Sequence, residues 1–123
     1  MFGEVFSYVS SWFTAPEAGS INPNVFWTGI GDDGTIAKKW AESNGGITLE
    51  MSSIGKNLPK WSVENEYLWR EASTNYAKSA RGDVTVLIGT YGISESSYFY
   101  KYELPELLNN PNVTSINYIN LGR

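Results

Sequence analysis

The stretch Asp83-Val84-Thr85-Val86-Leu87-Ile88-Gly89 decides the fold. Val84, Val86, Leu87 and Ile88 make a near-continuous apolar run, whereas a strand with one wet face would alternate apolar and polar residues. The run therefore reads as a strand buried on both faces, and its natural home is a parallel sheet. Upstream, residues 62–82 read as a helix. Ser62 is its expected N-cap, Glu64 and Glu66 suit the positive end of the dipole, Lys78 and Arg81 suit the negative end, and Gly82 closes it. Leu68, Trp69, Ala72, Ser73, Tyr76 and Ala80 recur at spacings of three, four and seven, so Trp69 and Ser73 share a face one turn apart.

Further upstream, Val25-Phe26-Trp27 reads as a short strand feeding a loop that holds Gly29, Gly31, Asp32, Asp33 and Gly34. A helix over residues 36–43 follows, with Thr35 as N-cap, Ile36, Ala37 and Trp40 on one face, and Asn44-Gly45-Gly46 as its stop. Ile47-Thr48-Leu49-Glu50-Met51 is apolar but too short to assign to helix or strand. Downstream of the central strand, residues 94–102 are polar and aromatic, Leu104-Pro105-Glu106-Leu107-Leu108 is apolar, and Asn109-Asn110-Pro111-Asn112 makes a turn. Residues 113–121 alternate as a strand with both faces mixed. The pattern predicts an α/β fold: a small, mainly parallel sheet with packed helices and a mainly helical amino-terminal part. Residues 1–24 are expected to be a lead-in segment and connector, and residues 25–123 one domain. Residues 5–15 are apolar but lack a basic leader and are interrupted by Ser7, Ser10 and Ser11. They fall short of the roughly 20 residues a membrane span needs, so an amphipathic segment anchored by Trp12 is expected there.

Composition narrows the chemistry. The 123 residues contain neither Cys nor His, which removes disulfides, Cys/His zinc sites, cysteine nucleophiles and histidine bases. Nine basic and 13 acidic residues give a net charge of −4, which argues against nucleic-acid backbones and anionic membranes as partners. Aromatic residues make up 15% of the chain and charged residues only 18%, so many large flat side chains must either be buried in the core or line a site, where a stacking ligand would fit. Among carboxylates, Glu50 sits in an apolar run and Glu103 lies between Tyr102 and Leu104. Each reads either as a partly desolvated functional carboxylate or as an exposed surface Glu. The Gly29-Gly31-Gly34 loop lacks both the dinucleotide fingerprint and the P-loop Lys, and reads better as a surface turn than as a phosphate cradle. Two adjacent Asp are too few for a calcium loop. Trp40 reads as core, and Trp61 as either a core cap or a pocket edge.

Four motifs in order resemble the active-site motifs of the ADP-ribosyl cyclases. They are Val25-Phe26-Trp27-Thr28, Thr48-Leu49-Glu50, Leu68-Trp69-Arg70-Glu71-Ala72-Ser73-Thr74-Asn75-Tyr76-Ala77 and Ser97-Tyr98-Phe99-Tyr100-Lys101-Tyr102-Glu103. The resemblance spans residues 25–121. Glu103-Leu104-Pro105 together with Asn110-Pro111-Asn112-Val113-Thr114 also looks like a cyclase-type branch found at the ends of bacterial polymorphic toxins.

The resemblance implies an enzyme that cleaves the nicotinamide–ribose bond of NAD+. Glu103 would be the catalytic carboxylate, Glu50 would hold the nicotinamide carboxamide, and Ser73 would lie beside the reacting carbon. Trp27 and Trp69 would be aromatic walls, with Ser97, Tyr98 and Phe99 on the phosphate side. NAD+ is the substrate, so no cofactor and no metal is implied. The implied setting is a delivered effector acting in the target-cell cytoplasm and held in check by a cognate immunity protein. Two further readings are a mono-ADP-ribosyltransferase toxin and a non-catalytic aromatic-rich binding module. The animal enzymes are longer and disulfide-rich. The Arg that typically follows their first Trp has no counterpart in Thr28-Gly29-Ile30, and no acidic residue follows Glu50 at the family's position. Hydrolysis is therefore expected over cyclisation.

Overall fold

Strand β3 (Gly82–Ile88) carries Val84, Val86 and Leu87 with no exposed surface. In the computed structural model, which describes residues 23–122, it lies between β1 (Asn24–Thr28) and β4 (Val113–Asn120), and β2 (Ile47–Thr48) sits on the far side of β1. All the strand pairs are parallel, so the sheet expected to be mainly parallel is wholly so. The expectations for residues 1–22, including a helical amino-terminal part anchored by Trp12, lie outside the described residues.

Parallel strands need crossovers, and the helices supply them. Helix α1 (Thr35–Asn44) links β1 to β2, α2 (Glu66–Ser79) leads from β2 to β3, and α3 (Leu104–Asn109) leads from β3 to β4. One apolar cluster joins Ala37 and Ala41 of α1 to Val25 and Leu87. The other joins Ala72, Tyr76 and Ala77 of α2 and Leu107 of α3 to Phe26, Val84 and Val86. The sheet is thus covered by α1 on one face and by α2 and α3 on the other. A chain that steps to one side of β1 and then returns across it needs this arrangement if every crossover is right-handed. Burying a side chain of Val or Leu size contributes about 1.5–3 kcal/mol, so β3, wedged between both clusters, is the most costly strand to disturb.

Local chemistry moves several boundaries. Ser62 does not cap α2: its N–H donates to Asn65 Oδ1 at 2.7 Å while Asn65 N–H donates to Ser62 Oγ, which closes a separate turn, and the helix begins at Glu66. Helix α2 ends at Ser79, and Gly82, at φ 72°, opens β3 instead of closing the helix. Thr35 is the first residue of α1, whose open end is capped from farther back: the Asp32 carboxylate accepts from Gly34 N–H at 2.9 Å and Ile36 N–H at 3.0 Å. The buried face of α1 is Ala37 and Ala41, with Trp40 packed beside it; Ile36 is exposed. Mixed faces in β4 follow from its edge position and from an irregularity in its pairing opposite Gly82 and Asp83. Among the described residues no helix is long and apolar enough to cross a membrane.

Leu87→Ala should lower the unfolding free energy by about 2–5 kcal/mol in urea melts, because the cavity it leaves lies between two packed layers. Ile36→Ala, at an exposed site on α1, should stay within about 0.5 kcal/mol of the parent. Equal effects of the two would contradict this packing.

Candidate active site

The strand order β2-β1-β3-β4 reverses direction between β1 and β3. In open parallel sheets that reversal leaves a crevice beyond the carboxyl ends of the strands, where the loops part to opposite faces. A cavity of about 860 Å³ lies there, a size suited to a nucleotide-scale ligand. Its wall includes Trp27 at the end of β1, Glu50 just after β2, and Ser97, Tyr98 and Phe99 beyond β3. Trp69 and Ser73 come from α2, and Glu103 completes the set, so all eight residues singled out in the sequence face one space.

Glu103 is 7% exposed. It ends a five-residue π-helical turn, Phe99–Glu103, that runs into α3. Pro105 accounts for the widened turn: it has no N–H to donate, and in an unbroken α-helix its ring would press on the Lys101 carbonyl. The wider turn buries Phe99 and Glu103 together. Burial pushes the Glu103 carboxyl up to about 8; the neighbouring negative charge of Glu50 adds to the rise, and the Ser73 hydroxyl offsets part of it. Glu50 sits in the 3₁₀ turn Leu49–Met51, which the Thr48 hydroxyl caps by accepting from Met51 N–H at 3.3 Å. Its carboxyl is also raised, chiefly by desolvation, and the Trp27 indole N–H donates to its Oε1 at 3.4 Å. Glu103 is buried, Glu50 is half-buried, and the two are close enough to influence one another, so neither is an exposed surface carboxylate. Such a pair favours whatever brings positive charge to it.

Trp27 and Trp69 are partly buried, and the hydrogen bonds of their indoles fix how they face the cavity. Trp69 N–H donates to the Pro59 carbonyl at 2.9 Å, which draws the loop after Glu50 against α2. Trp61 proves to be a pocket edge: half exposed, it donates to the Tyr98 hydroxyl at 3.1 Å, and Tyr98 in turn donates to Glu66 Oε2 at 2.8 Å. Ser97 lines the cavity, yet its hydroxyl donates to the Ser94 carbonyl and accepts from Tyr100 N–H, so it caps the turn that leads to Glu103. Phe99 forms part of the cavity floor and of the core behind it. The glycine loop closes onto α1 as a turn, and the Asp32 carboxylate takes the Gly34 and Ile36 N–H groups, so neither is open to a phosphate. Gly34 matters in another way, because a Cβ on it would come 3.2 Å from the Trp27 ring, so its bareness keeps that wall in place.

Sequence reasoning overlooked Tyr76, Asp33, Lys56 and Lys60 as parts of the wall. Tyr76 donates to the Ile47 carbonyl and packs on Phe26, ring centroids 5.0 Å apart, so it supports the floor between β1 and α2. Its helical spacing marked it only as core. The two Lys lie in an irregular loop, where no periodicity signals orientation. Among the described residues no three acidic side chains converge in a way that could hold a metal ion.

No protein-family model matches this chain, and no curated protein sequence does. Solved structures match well. The Aplysia cyclase complexed with its substrate NGD and product cGDPR aligns with a TM-score of 0.66 and 28% identity, over 83% of this chain and 50% of that one. An ADP-ribosyl cyclase complexed with N1-cIDPR aligns at 0.63 and 26%, over 80% and 49% of the two chains. A glutamate-to-alanine variant of an ADP-ribosyl cyclase aligns at 0.64 and 27%, over 83% and 50%. The chain is thus ADP-ribosyl cyclase-like in fold, and it spans about half the length of these enzymes.

A glutamate that titrates near 8 when folded and near its ordinary 4.5 when unfolded keeps an extra proton in the native state between those values. Stability should therefore fall as pH rises across that window. Melting temperatures should drop between pH 5 and 9 in the parent, and Glu103→Gln should flatten the drop and melt on the order of 10 °C higher at pH 9. Parallel curves for the two proteins would show that Glu103 does not hold this proton.

Proposed function

We propose that this domain is an NAD+ glycohydrolase, cleaving NAD+ to nicotinamide and ADP-ribose with cyclic ADP-ribose as a minor product. The observation that carries this reading is the buried Glu103 beside Glu50, in a cavity walled by Trp27 and Trp69. A fold shared with enzymes crystallised with NGD and N1-cIDPR, which are of the NAD type, supports the substrate class.

The reaction suits a site without His or Cys. When the bond between ribose C1′ and the pyridinium nitrogen breaks, its electron pair goes to the ring nitrogen. Nicotinamide leaves neutral, and no acid has to protonate it. Positive charge appears on C1′ and the ring oxygen of the ribose, where the ionised Glu103 stabilises it; a preorganised charge of this kind is often the largest catalytic contribution. Water then bonds to C1′ and releases a proton to solvent, so that NAD+ and water yield nicotinamide, ADP-ribose and one H+. Trp27 and Trp69 stack against the cationic ring, Glu50 accepts from the carboxamide N–H, and Ser73 lies beside the reacting carbon. The half-exposed rim at Trp61 admits water to C1′, which favours hydrolysis over closure of the ribose onto the adenine.

In the free domain at neutral pH Glu103 is largely protonated, so the resting site carries less charge than its residues suggest. An entering pyridinium brings the opposite charge into a poorly solvated space and draws the carboxyl back to its ionised form. The resemblance of the carboxy-terminal motifs to polymorphic toxins supports the further reading that the domain depletes NAD+ in a recipient cell. A cognate immunity protein would then protect the producer.

Purified protein should release nicotinamide and ADP-ribose from NAD+, with no effect of chelators or reductants, and Glu103→Gln should lower kcat by at least a hundredfold. Radiolabel transferred from NAD+ onto protein would indicate a transferase instead, and intact NAD+ a binding module. The pH profile supplies an independent check. Log kcat/KM should rise with unit slope up to about pH 8 and then level off, reporting free Glu103. Log kcat should level off at lower pH, because bound substrate favours the carboxylate. A profile flat from pH 6 to 9 would count against Glu103 as the ionising group.

A further inference from the structure

A dinucleotide also brings a pyrophosphate, and the cavity wall must supply hydrogen-bond donors for it. Most of its side-chain donors are already spent. The indole of Trp27 donates to Glu50, that of Trp61 to Tyr98 and that of Trp69 to Pro59. The hydroxyls of Tyr76, Ser97 and Tyr98 donate to Ile47, Ser94 and Glu66. Ser73 is engaged with Glu103. Lys56 and Lys60 remain, and they are the cavity's cationic side chains among the described residues. The ion pair found among those residues joins Arg70 to Glu66 and involves neither Lys.

The loop that carries them is held in place. Lys56 N–H donates to the Ser52 carbonyl at 2.9 Å, just after the turn that presents Glu50. Around Lys60, the Pro59 carbonyl is tied to Trp69, the Lys60 carbonyl accepts from Asn65 Nδ2 at 2.6 Å, and the Trp61 indole is tied to Tyr98. Both Lys are exposed at the rim, whereas Glu103, Ser73 and Phe99 are buried, so positive charge stands at the mouth and carboxylates at the base. Asp33 also lines the cavity; hydrogen bonds from the Thr35 hydroxyl and backbone hold its carboxyl low, and the charge of Lys60 adds a smaller part.

We infer that Lys56 and Lys60 bind the pyrophosphate of the substrate, taking the part for which Thr28-Gly29-Ile30 offers no cation. This rests on the glycohydrolase reading for the identity of the substrate, although an anion site at the rim stands independently of it. Two Lys on one loop hold the anionic middle of the molecule while the carboxylates at the base receive its cationic end. Binding is therefore directional. Asp33, on the same cavity wall, sets a negative charge against an anion bound there.

Lys56→Gln and Lys60→Gln should each raise KM for NAD+ by about three- to tenfold with kcat within twofold, and the double variant more. KM for nicotinamide riboside, which has no phosphate, should stay unchanged. Calorimetric titration with inorganic pyrophosphate gives a readout free of catalysis. The parent should bind it with an affinity that falls as salt rises, the double Lys variant about tenfold more weakly, and Asp33→Asn more tightly. NAD+ cleavage with KM unchanged in the double variant would overturn the inference and leave the glycohydrolase reading standing. Lys-dependent pyrophosphate binding without NAD+ cleavage would do the reverse.

Discussion

Glu103 is a carboxyl group taken almost out of water with no cation set beside it among the described residues, and that constraint organises the rest of the molecule. Burying an isolated carboxylate is costly enough that the group holds its proton instead. Neutral Glu103 is tolerable in the resting fold, and its ionisation becomes favourable once a positive charge arrives. The surrounding structure serves this state. The π-helical turn presents the side chain inward, α2 places Ser73 against it, and Glu50 raises its pKa further. A buried cation at this point would make the fold easier to stabilise and would remove the reason for a substrate cation to bind.

Hydrogen bonding divides the cavity into a base and a rim. At the base, the Trp27 indole is consumed by the Glu50 carboxyl and the Trp69 indole and Tyr76 hydroxyl by the Pro59 and Ile47 carbonyls, which leaves flat apolar faces and two carboxyls. At the rim, the loop after Glu50 is tied down through Pro59, Lys60 and Trp61, leaving its Lys side chains free to meet solvent or an anion. The same bonds that order the site thus decide which charges remain available. Such economy matters in a chain of 123 residues without disulfides, where the ordering must come from packing and polar satisfaction.

Much of this was legible from residue order. The unbroken apolar run at Val84 to Ile88 marked a strand covered on both faces, and the spacing of Trp69 and Ser73 put them one turn apart on α2. Helix ends were less legible, because Ser62 and Asn65 satisfy each other and Asp32 caps α1 from outside it. The turn at Phe99–Glu103 and helix α3 had no periodic signature, since Pro105 interrupts the pattern on which a helix would be recognised. Trp61 belongs to the pocket edge because its indole is tied to Tyr98, 37 positions away, a contact that no local pattern encodes.

The sequence alone determined which chemistry is available: no Cys or His, a set of aromatic residues, and two Glu in apolar surroundings. It also determined a parallel α/β order, because apolar runs and helical spacings are local properties that survive without knowledge of partners. Only the tertiary structure decided that Glu50 and Glu103, 53 positions apart, share one cavity, and which hydroxyls and indoles are already spent. Burial, mutual charge and donor availability are relations between distant segments. They come into being when the sheet reverses its strand order and brings those segments to one crevice.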